Sequence, residues 1–423
     1  MTRTQHYSHP TTAFPVYCLD WTADSTVLLG GGGGASRSGI ANKLKLCSVS
    51  ADGTKVDDVA EIALSSEEDA PMTIALDRAS EQLVTGINQS SSSIQAGTNG
   101  QARVYSYTDN DRVSLSSTLT TRLSHVRSQQ TIHAEWSDDY PYQKLTALSR
   151  GKKTAFVAVG TTDNKVAVLR FPSLEIALEP FAVEGGDLVD LDFGGPYGSW
   201  LAVTTASKVD VYDLEDGEKP HLELLHSIST PSIDGLSLSF RSARFAPAAQ
   251  PPASASSCPG IYAVLNSAAP ARRDRGKARK AFVVRFDATC EESGPSQDSE
   301  DEKPAKVKGV QWAVGAKREV ASKPVTVFDI SSDGKLVAFG CSDLSIGMLD
   351  ASTLAPLLKI LQAHSFPPTA LKFNPSATML VSASADNTIR TVVVPSSFGG
   401  ASSSAVAIIL AILIIIIAIL LSK

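Results

Sequence analysis

The sequence predicts an all-β fold built from repeats, followed by one C-terminal transmembrane helix. The first observation is a pattern that recurs along residues 1–394, in which short apolar strands alternate with polar turns rich in Gly, Asn and Asp. The second is the uninterrupted apolar segment Ala405–Leu421. Apolar residues make up 43% of the chain and charged residues 19%, which excludes a collagen, a fully disordered chain and a polytopic membrane protein.

Seven copies of the strand and turn pattern can be counted. The clearest are 324–350 and 363–394, where Ser332-Asp333-Gly334 and Asn374-Pro375-Ser376 fit the backbone of a tight reversal. Five weaker copies lie upstream, at 14–49, 71–107, 155–171, 188–217 and the split pair 260–266 and 280–288. The copies are longer on average than the usual repeat. The extra length is predicted to lie in insertions at 88–100, 108–130, 246–259, 267–279 and 289–323.

Dipeptides at fixed places in the copies connect them to a known repeat. Ala363-His364 stands where the WD-repeat family has Gly-His, and three pairs stand where it ends a strand with Trp-Asp: Tyr212-Asp213, Phe286-Asp287 and Leu349-Asp350. The sequence therefore resembles a WD-repeat protein, which implies a seven-bladed WD40-type β-propeller over residues 1–394. A closed ring needs an outer strand for the last blade, and the residues before Ala13 are expected to supply it.

The C-terminal segment predicts the location of the protein. Seventeen apolar residues in a helix span roughly 26 Å, close to the thickness of about 27 Å of the endoplasmic reticulum bilayer. A buried core helix is the alternative, but such a helix rarely lacks a polar stripe. We therefore expect a linker at 395–404 and a tail anchor at 405–421. The N-terminus lacks the apolar stretch of a secretory signal, so the propeller is expected to face the cytosol.

One loop departs from the repeat pattern. The connection Gly30–Asn42 of the first copy, GGGGGASRSGIAN, contains six glycines where a hairpin needs only a few residues. Such a loop is either disordered or held by a ligand or partner, because glycine lets carbonyl oxygens converge on a hard cation or amides converge on a phosphate. A phosphate-binding loop does not fit, since Ile40-Ala41 replaces the required Lys-Ser/Thr and no helix is predicted to follow.

The same loop carries a narrower resemblance. G-G-G-G followed by G-I-x-N-K-L is similar to the family of endoplasmic reticulum exchange factors that activate the Sar-type small GTPase of the COPII coat, which includes the prolactin regulatory element binding protein. Asp69–Asp77 and Gly97–Gly100 of the second copy give weaker support. The resemblance implies a guanine-nucleotide exchange factor without covalent chemistry, anchored in the endoplasmic reticulum membrane, that starts COPII vesicle formation.

Site residues follow from this resemblance position by position. In the family, the first-blade loop binds potassium and presses on the GTPase switch regions, so that GDP leaves and GTP enters. The implied potassium site is formed by Gly31, Gly32, Gly33, Gly34, Gly39 and Asn42. The implied GTPase contacts are Ile40, Ala41, Asn42 and Pro71. Ala41 occupies a place where some members have proline, which predicts a less stiff loop that depends more on its ion.

Other residue types predict less. The five cysteines lie far apart without a C-x-x-C pair, so neither a structural zinc nor a disulfide framework is expected. The net charge of −6 gives no general attraction to nucleic acid, and no nucleic-acid partner is expected. The seven histidines form no catalytic motif, and His364 is predicted to be structural. Two alternatives remain open: a non-catalytic scaffold at the membrane, and a propeller enzyme with a site in its central channel.

Overall fold

The structure is a computed structural model of the chain, and it describes residues 4–34, 39–108, 123–149, 155–217, 219–247, 258–269, 279–291 and 308–398. Within these residues, the chain forms seven four-stranded antiparallel sheets. The prediction of an all-β, seven-bladed propeller is therefore confirmed. A short helix, α1 (Ser91–Gln95), lies in a predicted insertion.

Each sheet is one blade, numbered here in chain order. The strands of blades 1 to 3 are β2 (Val16–Ala23), β3 (Thr26–Gly31), β4 (Lys43–Val49), β5 (Val56–Ala63), β6 (Ile74–Asp77), β7 (Gln82–Gly86), β8 (Ala102–Tyr107), β9 (Leu123–Gln129), β10 (Gln143–Leu148), β11 (Ala155–Thr161), β12 (Lys165–Phe171) and β13 (Ile176–Ala182). Those of blades 4 and 5 are β14 (Leu188–Gly194), β15 (Trp200–Thr205), β16 (Lys208–Glu215), β17 (His221–Ser229), β18 (Leu238–Phe245), β19 (Ile261–Ser267), β20 (Ala281–Glu291) and β21 (Lys308–Ala321). Blades 6 and 7 contain β22 (Val325–Ile330), β23 (Leu336–Cys341), β24 (Ile346–Asp350), β25 (Pro356–Ile360), β26 (Pro368–Phe373), β27 (Met379–Ser384), β28 (Thr388–Val393) and the N-terminal strand β1 (His6–Pro10).

The ring is closed by the N-terminal strand, as the sequence predicts. Strand β1 pairs antiparallel with β28, in a register that sets His6 opposite Val392 and Pro10 opposite Thr388. The first strands of successive blades also contact one another in order around the ring, and β2 of blade 1 meets β26 of blade 7. Because the first and last segments of the propeller share one sheet, the ring cannot open without breaking that sheet.

The hydrophobic core lies between the blades. Among the described residues, each pair of neighbouring blades shares one cluster of buried apolar side chains, so that seven clusters follow one another around the ring. Between blades 7 and 1, for example, Trp21 and Val27 pack with Val381 and Ile389. A single blade could not bury these faces, which is why the closed ring is the stable unit.

Strand direction divides the connections between two faces of the propeller. In every blade the second strand runs antiparallel to the first, the third to the second and the fourth to the third. Connections from a second to a third strand, and from one blade to the next, therefore emerge at the same face. We call this the loop face; it carries 32–42 and 64–73. Connections from a first to a second strand, such as 78–81, lie on the opposite face.

Ion pairs and hydrogen bonds link neighbouring first strands. Arg244 Nη1 lies 2.6 Å from Asp190 Oδ1, while Asp192 Oδ2 accepts a hydrogen bond from the Phe245 backbone N–H at 2.8 Å. Burial raises the pKa of Asp192 to about 6, although nearby Arg244 acts in the opposite direction. The folded state therefore holds a proton on Asp192 at a pH where the unfolded chain is ionised.

This pKa gives a prediction about stability. As the pH rises from about 4 to about 6, the carboxyl group of Asp192 ionises freely in the unfolded chain, but burial disfavours its charged form in the folded state. Its contribution to the free energy of unfolding therefore falls over this pH range. Asp192→Asn keeps the acceptor for Phe245 and removes this cost. We expect it to raise the free energy of unfolding at neutral pH by about 3 kcal/mol, with the gain vanishing below about pH 4. Urea unfolding at both pH values measures this, and an equal gain at both would contradict the prediction.

Two sequence expectations are wrong in blades 2 and 5. Segments 108–130 and 289–323 were expected to be insertions, but each contains the outer strand of its blade, β9 and β21. The structure also contains a disulfide that the sequence did not indicate, between Cys258 and Cys290. Cys258 precedes β19 and Cys290 lies near the end of the neighbouring strand β20, so antiparallel pairing brings together two residues 32 positions apart.

The predicted tail anchor 405–421 and most of its linker lie outside the described residues. Within the part of the chain that the structure describes, no helix is long and apolar enough to cross a membrane. The described chain continues past β28 to Phe398, which packs against the cluster between blades 6 and 7.

Candidate functional site

The glycine-rich loop begins two residues later than the sequence predicts. Gly30 and Gly31 belong to β3, where they pair with Leu44 and Lys43 of β4. A Cβ on Gly31 would lie 2.0 Å from the Pro15 carbonyl oxygen, so this close approach of two backbones requires glycine. The loop proper is therefore 32–42, and its residues 35–38 lie outside the described part of the chain.

Both described arms of the loop contain left-handed glycines. Gly32, Gly34 and Gly39 have φ values of 137°, 68° and 76°. The Gly32 N–H donates to the Pro15 carbonyl at 3.0 Å, which fixes the start of the loop against the entry to blade 1. These conformations let the chain turn away from β3 and return to β4 within a few residues.

Asn42 holds the two arms together. Its Oδ1 accepts from the Gly34 N–H at 2.9 Å, and its Nδ2 donates to the Gly34 carbonyl at 3.1 Å. The same Nδ2 donates to the Glu68 carbonyl at 2.7 Å, on the connection to blade 2. The side chain of Asn42 is only 4% exposed. One amide therefore ties the loop both to itself and to the neighbouring blade.

The other predicted contact residues occupy different depths. Gly39 and Ala41 are exposed, and Ile40 is half-buried. Pro71 is buried beneath the loop: its carbonyl accepts from Cys18 Sγ at 3.3 Å, and a Cβ on Gly30 would lie 3.0 Å from its own Cβ. The structure thus brings Pro71 under the base of the loop, whereas Gly39–Ala41 form its surface.

The donor atoms near the loop are oxygens, the type of ligand that hard cations prefer. The Oδ1 atom of Asp69 lies beside Gly34, 3.4 Å from where a Cβ would stand, and Asn42 Oδ1 is a second side-chain oxygen at the same arm. Oxygen donors of this type, with backbone carbonyls, bind hard cations. No group of three or more His, Cys, Asp or Glu that could hold a metal ion occurs among the described residues.

The sequence analysis assigned no role to three charged residues near the loop, Glu68, Asp69 and Arg103. Glu68 and Arg103 form an ion pair in which Oε1 and Nη2 are 2.5 Å apart. Partial burial raises the pKa of Tyr17, and the negative charge of nearby Asp69 raises it further. Asp69 was visible in the segment that opens the second copy, directly before Ala70-Pro71. Nothing in the sequence pairs Glu68 with Arg103, because they are separated by a whole strand hairpin.

His364 lies away from this loop and is structural, as predicted. Its Nε2 lies 2.8 Å from Ser382 Oγ and its Nδ1 2.9 Å from Thr388 Oγ1, inside blade 7. Burial lowers its pKa to about 4, so the ring is neutral at physiological pH. A buried, neutral and fully bonded imidazole holds strands together.

A cleft of about 250 Å³ lies near the start of blade 3, lined by Thr131, Ile132, His133, Thr161, Asp163, Lys165, Glu179 and Pro180. Lys165 Nζ and Asp163 Oδ2 form an ion pair of 2.8 Å there. The volume is below the roughly 300–1,000 Å³ of typical ligand pockets. This cleft therefore gives no support to the alternative of a propeller enzyme.

Comparison with known proteins agrees with the fold. The family model described as "WD domain, G-beta repeat" matches residues 355–391, which run from the end of blade 6 into blade 7. The chain is 22% identical over 397 residues to the guanine nucleotide-exchange factor SEC12 of Candida glabrata, covering 91% of this chain and 72% of the relative. It is 28% identical over 83 residues to SEC12-like protein 2 of Arabidopsis thaliana, covering 20% of this chain and 21% of that relative.

The closed ring of seven four-stranded blades, together with the match to the WD repeat, defines the class of protein as a WD-repeat β-propeller. The similarity to SEC12 extends over most of the chain. The chain is therefore similar to a SEC12-type WD-repeat protein, which confirms the resemblance seen in the sequence.

Proposed function

We propose that this protein is a guanine-nucleotide exchange factor for a small GTPase of the Sar type. The relative that matches most of the chain is named a guanine nucleotide-exchange factor. The observation that carries the proposal is the described part of the loop, 32–34 and 39–42, whose two arms stand on the loop face and are tied together by the side-chain amide of Asn42. A clamped, glycine-rich loop offers backbone groups and Ile40 to a partner at little entropic cost.

The proposed mechanism is differential binding. The loop inserts at the switch regions of the GTPase and binds the nucleotide-free form more tightly than the GDP-bound form, so that GDP leaves and GTP enters. No covalent step and no general base are needed. Asn42 keeps the loop in shape, Ile40 and Ala41 contact the GTPase, and Pro71 supports the loop from below.

We further propose that a potassium ion braces the loop through the carbonyls of Gly31–Gly34 and Gly39 and through Asn42. Gly31 lies in β3 and Gly34 is engaged by Asn42, so the ion would add to an existing clamp. The segment Ala405–Leu421 is proposed to anchor the protein in the endoplasmic reticulum membrane, where its partner starts COPII vesicle formation.

The direct test is nucleotide release from a Sar-type GTPase. The full chain in liposomes is added to GTPase loaded with a fluorescent GDP analogue, in potassium and then in sodium. We expect accelerated release, faster in potassium than in sodium. Release that does not respond to the protein in either salt would favour a non-catalytic scaffold, and equal rates in the two salts would contradict potassium bracing.

Ile40→Ala tests the proposed contact. Ile40 is half-buried on the surface of the loop, so truncation removes apolar area available to a partner. We expect exchange activity to fall about tenfold or more, while the melting temperature stays within a few degrees of the original. Leu361→Ala is the matched control, since Leu361 is 72% exposed in the connection between blades 6 and 7. Full activity of Ile40→Ala would contradict the assignment.

A further inference from the structure

A buried ion pair stands next to the glycine-rich loop. Glu68 lies in the connection between blades 1 and 2, and Arg103 lies in β8, the third strand of blade 2. Glu68 Oε1 and Arg103 Nη2 are 2.5 Å apart, and the side chains are 16% and 7% exposed. Two more hydrogen bonds fix the pair: the Ser65 N–H donates to Glu68 Oε2 at 2.9 Å, and Arg103 Nε donates to the Gly100 carbonyl at 3.2 Å.

Glu68 connects this pair to the loop through its own backbone. Its carbonyl accepts the Asn42 Nδ2 donor at 2.7 Å, and Asn42 in turn bonds to both the N–H and the carbonyl of Gly34. Glu68 is therefore held by blade 2 at its side chain and holds the loop of blade 1 at its carbonyl. A continuous set of hydrogen bonds runs from Arg103 to Gly34.

The pair is not needed merely to join blades 1 and 2. Those blades share a hydrophobic cluster, and a second ion pair joins them at the opposite face, where Arg78 Nη2 lies 3.0 Å from Asp20 Oδ1. A buried ion pair contributes little net stability compared with an apolar pair, because both charges lose their hydration. The ion pair does hold the carboxylate and the guanidinium at a fixed distance and orientation. A loop rich in glycine has no comparable contacts of its own to fix its shape.

We propose that Glu68 and Arg103 are positioning residues that set the shape in which the loop meets its partner. This proposal rests on the proposed exchange function. Arg103 orients the Glu68 carboxylate, the Glu68 carbonyl orients the Asn42 amide, and Asn42 keeps the Gly34 arm closed. Neither charged side chain contacts the GTPase in this arrangement; both act through Asn42.

The test compares two pairs of matched variants of the full chain. Glu68→Gln and Arg103→Gln weaken the pair beside the loop, whereas Asp20→Asn and Arg78→Gln weaken the ion pair that joins the same blades at the opposite face. Hydrogen–deuterium exchange of the peptide containing the Gly34 amide reports the loop shape without any GTPase. Nucleotide release reports the function, and the melting temperature reports the cost to the fold.

We expect the two loop-face variants to speed amide exchange at Gly34 about tenfold and to slow stimulated nucleotide release by a similar factor, equivalent to about 1.4 kcal/mol. The two control variants are expected to lower the melting temperature comparably and to change neither readout. Arg103→Lys, which keeps the charge but not the planar fork, is expected to restore part of both.

Several results would overturn the proposal. Unchanged exchange at Gly34 in both loop-face variants would show that the pair does not hold the loop. Equal effects in the control variants would show a general loss of blade packing. A loosened loop with full nucleotide release would overturn the positioning role while leaving the exchange function intact. Failure of the original protein to stimulate release would overturn the proposed function, and the amide exchange would still decide whether the pair holds the loop.

Discussion

Asn42→Ala is expected to lower stimulated nucleotide release about a hundredfold. The substitution removes three hydrogen bonds, two to Gly34 and one to the Glu68 carbonyl, and leaves these partly buried groups without their Asn42 partner. Each lost bond of this kind costs about 1–2 kcal/mol, and here the cost falls on the shape of the loop. Nucleotide release measured with saturating and limiting amounts of the variant distinguishes weaker binding from a slower step within the complex.

A matched control exists on the opposite face. Asn374, in the turn between β26 and β27, is 2% exposed and is also held by several hydrogen bonds, including those from the Thr378 and Met379 N–H groups to its Oδ1. Asn374→Ala is expected to destabilise the fold about as much as Asn42→Ala, but to leave nucleotide release near the original rate. Similar activities for the two variants at matched stability would contradict the role given to Asn42.

The repeat count and the closure of the ring were predictable because they depend on patterns close in sequence. Continuous runs of apolar and small residues mark β23 and β27, whose side chains are almost entirely buried. The outer strand β9 was missed for the opposite reason. In β9 the middle residues, Ser124–Ser128, are exposed and polar or charged apart from Val126, so the strand carries no apolar signal and is specified by pairing with β8.

The site was predicted in part. The glycine run and Asn42 are contiguous in sequence, and a loop that breaks the repeat pattern is visible without a structure. Contacts made between blades leave no such signal. The pairing of Glu68 with Arg103 and the burial of Pro71 behind Gly30 both depend on how blade 2 packs against blade 1. The disulfide between Cys258 and Cys290 was missed for the same reason.

Gly32→Ala is expected to have the second large effect, because the substitution meets two obstacles at once. Gly32 has φ 137°, a conformation that L residues rarely adopt, and a Cβ there would stand 2.3 Å from Asn42 Oδ1 and 2.5 Å from Asn42 Cα. The Asn42 backbone is fixed at the entry to β4, where its carbonyl accepts from the Leu64 N–H. The clash is therefore relieved only by displacing the loop arm.

We expect Gly32→Ala to reduce nucleotide release about as strongly as Asn42→Ala, and the double variant to add little, since both changes release the same arm. Gly39→Ala separates the cost of backbone strain from that of a steric clash. Gly39 has φ 76°, but no atom of the described residues lies within 4 Å of an added Cβ, so we expect only the backbone cost of roughly 1 kcal/mol. Its activity should fall severalfold at most. If Gly39→Ala were as inactive as Gly32→Ala, the activity of the loop would depend only on the backbone conformations that glycine allows. The close contact between Gly32 and Asn42 would then not be needed to hold the loop in shape.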